Sequence, residues 1–243
     1  TGSLARVLAR QAARVTVIEP NPELPKLLSD PSGKIVAINA FFTPDLIEDR
    51  ADLVICRQVY EHIYDIRDFA SGFAKALEPG GMLYVEVPDV RYIERTGAYM
   101  DVHVQHLHHF DPARLARLFA GYGFEPVREF DIMNGHDFGL LLRKPASKVQ
   151  VEREPEALSL TRVEDLRARH RAVLATQTGG RAALYGGSAQ GITFFQETGD
   201  DTAIGVVFDD NQSSVGGSVY RPGAAVPVEA PTAERVCEMS DIY

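Results

Sequence analysis

Four short apolar runs constrain the fold most: RVTVIE at 14–19, KIVAIN at 34–39, ADLVIC at 51–56 and MLYVEV at 82–87. Between them lie stretches with helical spacing, at 3–13, where Leu4, Val7 and Leu8 share one face, at 22–29 and at 65–77. Continuous apolar runs read as strands buried on both faces, and parallel neighbours need a crossover. The alternation therefore predicts an α/β fold with a doubly wound parallel sheet. The third helix should stop at Glu78-Pro79-Gly80-Gly81, a turn signal. Asp111 and Pro112 supply a cap and a first-turn proline for a helix over 112–121. Strands at 124–131 and 136–143 join at Asn134-Gly135, a hairpin signal that puts an antiparallel strand into the sheet.

Residues 145–160 are polar, with two prolines, and read as a linker before a helix at 161–176. The pattern then restarts with a strand, a glycine turn, a helix and a second strand ending in Asp209-Asp210. The predicted organisation is a first domain over 1–144, a linker and helix over 145–178, and a second, smaller Rossmann-like α/β domain over 179–243, cut short at its end. With 25 Lys+Arg against 34 Asp+Glu, the net charge of -9 argues against nucleic-acid partners. No run approaches the roughly 18 apolar residues of a membrane span, and no signal peptide is visible. Cys56 and Cys237 form no pattern, so a reducing cytoplasm is expected.

Chemistry concentrates in two places. Gly2 stands where a glycine turn enters a helix, and Glu19 follows it by 17 positions at a strand end, close to the roughly 20 expected of a ribose-binding acid. A dinucleotide would be served equally well by that pair. Further on, YMDVHVQHLHHFDP places His103, His106, His108 and His109 within seven residues. No carboxylate or cysteine inside the cluster completes a metal set, and Asp111 is better used as a cap. No metal is expected, and at least one histidine is a candidate for proton transfer.

ADLVICRQVYEHIYDIRDF followed by KALEPGGMLYVEVPD resembles the S-adenosylmethionine-dependent methyltransferases of the Rossmann-like class. In that class the fourth strand runs into a Glu-His loop, and a Leu-x-Pro-Gly-Gly turn leads into the fifth. The resemblance covers about 1–144, and Gly2 matches the last glycine of the family's first motif. It implies that the first strand and most of that loop lie upstream. It also implies S-adenosylmethionine as cofactor, with Glu19 on the ribose, Ala40 and Phe41 near the adenine, and Arg57 and Gln58 beside the methionine part. Glu61 and His62 would lie near the cofactor and support the loop.

The histidine stretch is similar to the His-Glu-His-x-x-x-Phe-Ser segment of the sugar C-methyltransferases. Val104 and Gln105 stand where that family has its first His and its Glu, while His106 and Phe110 match. The resemblance implies His106 as the base that removes a proton beside a carbonyl, with His103 and Gln105 next to it. ALYGGSAQGITFF and VVFDDNQSSVGGSVYRPGAAVPV resemble the C-terminal domain of the same enzymes, over about 180–231. A nucleotide-linked sugar is implied between the domains, with Gly187, Ser188, Gly191 and His109 on the substrate side. A packing role for those glycines stays open. The family's small zinc-binding domain with paired cysteines is absent from these residues. Transfer to oxygen, an NAD-linked oxidoreductase, and a scaffold without chemistry remain the alternatives.

Overall fold

The computed structural model describes residues 2–28, 30–145, 161–176, 182–197, 203–221, 224–239 and 241–242. The first helix, α1 (Ser3–Leu8), starts from Gly2 and is followed by β1 (Val15–Ile18), α2 (Leu24–Leu27) and β2 (Ile35–Ile38). β1 and β2 pair in parallel, Val15 opposite Ile35 and Ile18 opposite Ile38, as a two-stranded sheet. Both helices are shorter than their apolar spacing predicts. Buried Ala5, Leu24 and Leu28 pack beneath Val15, Val17, Ile35 and Ala37.

Next come β3 (Ala51–Arg57), α3 (Ile66–Ala76), β4 (Leu77–Pro88), α4 (Val90–Thr96), α5 (Pro112–Ala120), β5 (Glu125–Ile132) and β6 (Asp137–Arg143). They build a four-stranded sheet in the order β3-β4-β6-β5. β3 and β4 are parallel, and β6 is antiparallel to both of its neighbours, as the Asn134-Gly135 turn predicts. The side chains of Asp65 and Asp111 cap α3 and α5 by accepting from backbone N–H groups of the first turn.

Two features depart from the sequence pattern. β4 takes in the Glu-Pro-Gly-Gly turn, because the Gly80 N–H donates to Lys144 O and the Lys144 N–H donates to Gly81 O, at 2.6 and 2.8 Å. The register against β3 shifts there, between Ala51 and Leu53. α4 was not anticipated, although Asp89 caps it and Gly97 ends it in the left-handed region.

The core of this sheet is aromatic. Tyr60, fully buried, packs on Phe110 and Phe119 at 5.5 and 5.3 Å between ring centres, and its hydroxyl donates to Ile66 O at 2.6 Å. Phe42, beyond β2, packs on Phe69 and Phe73 of α3 and so holds that connection against this core.

The stretch 146–160, read as a linker, lies outside the described residues. α6 (Thr161–Leu174) follows, then β7 (Ala182–Tyr185), α7 (Ala189–Glu197), β8 (Ile204–Phe208), β9 (Ser218–Arg221), β10 (Ala224–Glu229), α8 (Ala233–Cys237) and β11 (Asp241–Ile242). Their sheet has the order β11-β7-β8-β10-β9 and is parallel except for β9. Its core includes Leu184, Phe194, Phe195 and Val207, and it also draws in Ile93 of α4 and Tyr99. Among the described residues, no helix is long and apolar enough to cross a membrane.

Tyr99 and His170 of α6 share a hydrogen bond of 2.9 Å between Oη and Nδ1, and His170 packs edge-on against Phe194. Burial holds the His170 imidazole below its ordinary pKa. The unfolded chain protonates this ring near pH 6.5 while the folded chain keeps it neutral. The resulting stabilisation is present above 6.5 and is lost as pH falls below it. Urea unfolding at pH 7 and pH 5 should show lower stability at pH 5, with a smaller drop in His170→Gln.

Candidate active site

A cleft of about 440 Å³ opens where the C-terminal ends of β3 and β4, the histidine segment and the start of α7 meet. Its first wall is an ion-paired knot. Arg57, the last residue of β3, donates from Nε and Nη2 to Glu86 Oε1 of β4 at 3.0 and 2.7 Å. The Tyr84 hydroxyl donates to Glu86 Oε2 at 2.8 Å. Burial pushes the Glu86 carboxyl up, but the bonds from Arg57 and Tyr84 outweigh it and hold the group below its ordinary range. Tyr84 fits only because residue 139 is glycine. A Cβ there would lie 2.3 Å from the Tyr84 hydroxyl oxygen.

Gln58 turns the chain out of β3 in the left-handed region, at φ 52, which is uncommon for a residue other than glycine. Two bonds hold it there, from its N–H to Glu86 O and from Nε2 to Asp137 Oδ2, both 2.9 Å. Asp137 Oδ1 lies 2.7 Å from His136 Nδ1, and His136 Nε2 lies 3.3 Å from Asp101 Oδ2. Asp101 Oδ1 accepts from Gln190 Nε2 of α7. This polar chain runs from the end of β3 to α7, and both aspartates are buried.

The opposite wall is the histidine segment. His103 and His106 stand 3.9 Å apart between ring centres, and His62 meets His106 edge-on at 5.0 Å. Burial, with His103, His62 and His109 adding to it, holds the His106 imidazole down at about 4, so the ring is neutral near pH 7. His103 is also held below its ordinary pKa, by burial first, and its Nδ1 is buried without a hydrogen-bond partner. The segment is fixed through backbone: Leu107 and His108 N–H donate to Glu61 O at 2.9 and 3.2 Å. Burial pushes the carboxyl of Glu61 above its ordinary range, against the pull of His62.

Seven residues singled out in the sequence line this cleft together: Arg57, Gln58, His62, His103, Gln105, His106 and Ser188. The others lie elsewhere. Glu19 and Ala40 follow β1 and β2, where both N–H groups donate to Ile38 O at 3.1 Å. Glu19 is exposed, and Phe41 beside Ala40 is 78% exposed. Gly2 caps α1 and packs on Leu28. Gly187 donates its N–H to Asp209 Oδ2 at 3.0 Å, and Gly191 packs on the Gly186 carbonyl, where a Cβ would come within 1.8 Å. His109 does not line the cleft, and its Nε2 is buried without a partner. Sequence reasoning missed Asp101, His136, Asp137 and Gln190, which no motif marks.

Residues 1–129 match the family model described as a methyltransferase domain. The chain belongs to that methyltransferase domain family. S-adenosylmethionine is the cofactor this membership implies, and the donor set at the ends of β1 and β2 fits its nucleoside half. The exposed Glu19 carboxylate can accept from ribose hydroxyls, and the exposed Phe41 ring offers an apolar face to a purine. The chain is 27% identical to the C-methyltransferase NovU of Streptomyces niveus over 133 residues, 52% of this chain and 31% of that protein. It is 32% identical to a ubiquinone biosynthesis O-methyltransferase of Methylobacterium sp. (strain 4-46) over 92 residues, 34% of this chain and 35% of the relative. The matched region thus spans about a third of each curated relative. Among solved structures it is similar to the 1,6-didemethyltoxoflavin-N1-methyltransferase of Burkholderia thailandensis, at 18% identity and a TM-score of 0.48, covering 59% of this chain and 67% of that one.

Gly139→Ala tests the first wall of this methyltransferase domain. Displacing Tyr84 should cost about 1–3 kcal/mol in urea unfolding. It should also loosen the knot, because the Glu86 carboxylate loses the Tyr84 hydroxyl and is held by Arg57 alone. An unchanged unfolding midpoint would contradict the packing described.

Proposed function

We propose that this chain transfers the methyl group of S-adenosylmethionine to a small polar acceptor in the cleft. The acceptor class that the sequence resemblance favours is a nucleotide-linked keto-sugar, methylated on carbon. One observation carries the reading: the neutral, half-buried imidazole of His106 faces the same cleft as Arg57 and Gln58, with His103 against it.

Glu19 would hold the ribose and Ala40 and Phe41 the adenine. Arg57 and Gln58, at the end of β3, would bound the methionine part, and Gly2 would open the helix at the glycine turn. When bound, S-adenosylmethionine supplies an electrophilic methyl carbon on a sulfonium centre. His106 takes the proton from the carbon beside the acceptor's carbonyl. Negative charge then develops on the carbonyl oxygen, and His103, which lines the same cleft, would donate to it. Gln105 gives its own carbonyl to His62 Nδ1 at 2.7 Å, which leaves its exposed side chain to the acceptor.

On the far side, Ser188 opens α7 within the cleft and would meet the acceptor's polar end. Gly187 and Gly191 shape that turn, and His109 backs the segment from behind. Transfer to oxygen is the second reading, favoured by the 32% identical O-methyltransferase relative. His106 would then take a hydroxyl proton.

The test is methyl transfer from radiolabelled S-adenosylmethionine to a panel of keto-sugar nucleotides and hydroxylated acceptors. His106→Ala should lower kcat/KM by about 10²–10⁴ and leave S-adenosylhomocysteine affinity unchanged. Turnover that survives the substitution would remove His106 from the chemistry.

A further inference from the structure

Between His103 and His109 the sequence carries no carboxylate, yet folding brings one there from a loop some forty residues earlier. Glu61 is only 1% exposed, and neither of its carboxylate oxygens has a hydrogen-bond partner. A buried carboxylate without partners is costly unless a cation or a donor meets it. His62 turns Nε2 towards it, 3.6 Å from Glu61 Oε1.

His62 Nδ1 donates to the Gln105 carbonyl at 2.7 Å. A ring nitrogen bonded to a carbonyl carries the proton, so the other nitrogen keeps its lone pair, as a metal ligand requires. His106 completes the group. One ligand-capable atom from each of Glu61, His62 and His106 lies within 4.8 Å of the other two. The backbone bonds from Leu107 and His108 to Glu61 O fix this spacing independently of the side chains.

Two imidazoles and one carboxylate form a donor set suited to zinc rather than to magnesium or calcium, which prefer oxygen throughout. We propose that Glu61, His62 and His106 bind a Zn²⁺ ion at the wall of the cleft, and that filling this site inhibits methyl transfer. The inhibition rests on the reading of His106 as the base: a lone pair given to the metal cannot accept a proton.

The experiment is equilibrium dialysis of the full chain against Zn²⁺, with bound metal read by elemental analysis. A single ion per chain is expected, with Glu61→Gln, His62→Ala and His106→Ala each weakening binding by about tenfold or more. His108→Ala and Cys237→Ser should leave it unchanged, which separates the site from a spare histidine and the exposed thiol. Should Glu61→Gln fail to fold, His62→Ala carries the same test from an exposed position. No stoichiometric zinc, or equal affinity in all three variants, overturns the site.

In the methyl-transfer assay, zinc should lower turnover and a chelator restore it, with S-adenosylhomocysteine affinity unmoved. Zinc bound without loss of turnover overturns the inhibition. Zinc bound by a chain that does not bind S-adenosylhomocysteine supports the site and overturns the methyltransferase reading instead.

Discussion

The buried carboxylate of Asp101 is the point on which the two larger sheets meet chemically. One oxygen accepts from Gln190 of α7, and the other faces His136 Nε2. Through His136 and Asp137 the contact reaches Gln58, whose left-handed turn ends β3. Buried charges are tolerated only when they are partnered, so each member of this chain requires the next. Removing Asp101 would leave an amide and an imidazole facing a void, and the cleft would lose the link between the end of β3 and α7.

The knot of Arg57, Glu86 and Tyr84 does for the first wall what Asp101 does for the join. It spans neighbouring strands, is backed by Gly139, and fixes the strand ends that flank the cleft. The histidine segment needs no such knot, because two backbone N–H groups tie it to Glu61. Rigid walls of this kind suit chemistry that depends on placing a nucleophile in line with a methyl group. They also explain why neutral imidazoles persist in the cleft: desolvation holds His103 and His106 below their ordinary pKa values.

Local pattern carried much of this into the sequence. The runs at 14–19, 34–39, 51–56 and 82–87 are strands because their apolar character is continuous and short, and Asp111 caps a helix where its position predicts. The extension of β4 through Glu78–Gly81 was not legible, since it depends on pairing with Lys144, more than sixty residues away. β11 is two residues long, too short for a period to show. In the cleft, Arg57, Gln58, His106 and Ser188 are marked by motif. Asp101, His136, Asp137 and Gln190 come from four separate elements or turns, and only tertiary packing joins them. The same is true of Glu61 and the histidines it faces.

The central claim is that this chain is built around S-adenosylmethionine and not around a dinucleotide. Calorimetric titration with S-adenosylhomocysteine and, separately, with NAD tests it most directly. The account predicts binding of the first alone, weakened by Glu19→Ala. Binding of NAD in preference, or S-adenosylhomocysteine binding indifferent to Glu19, would contradict it.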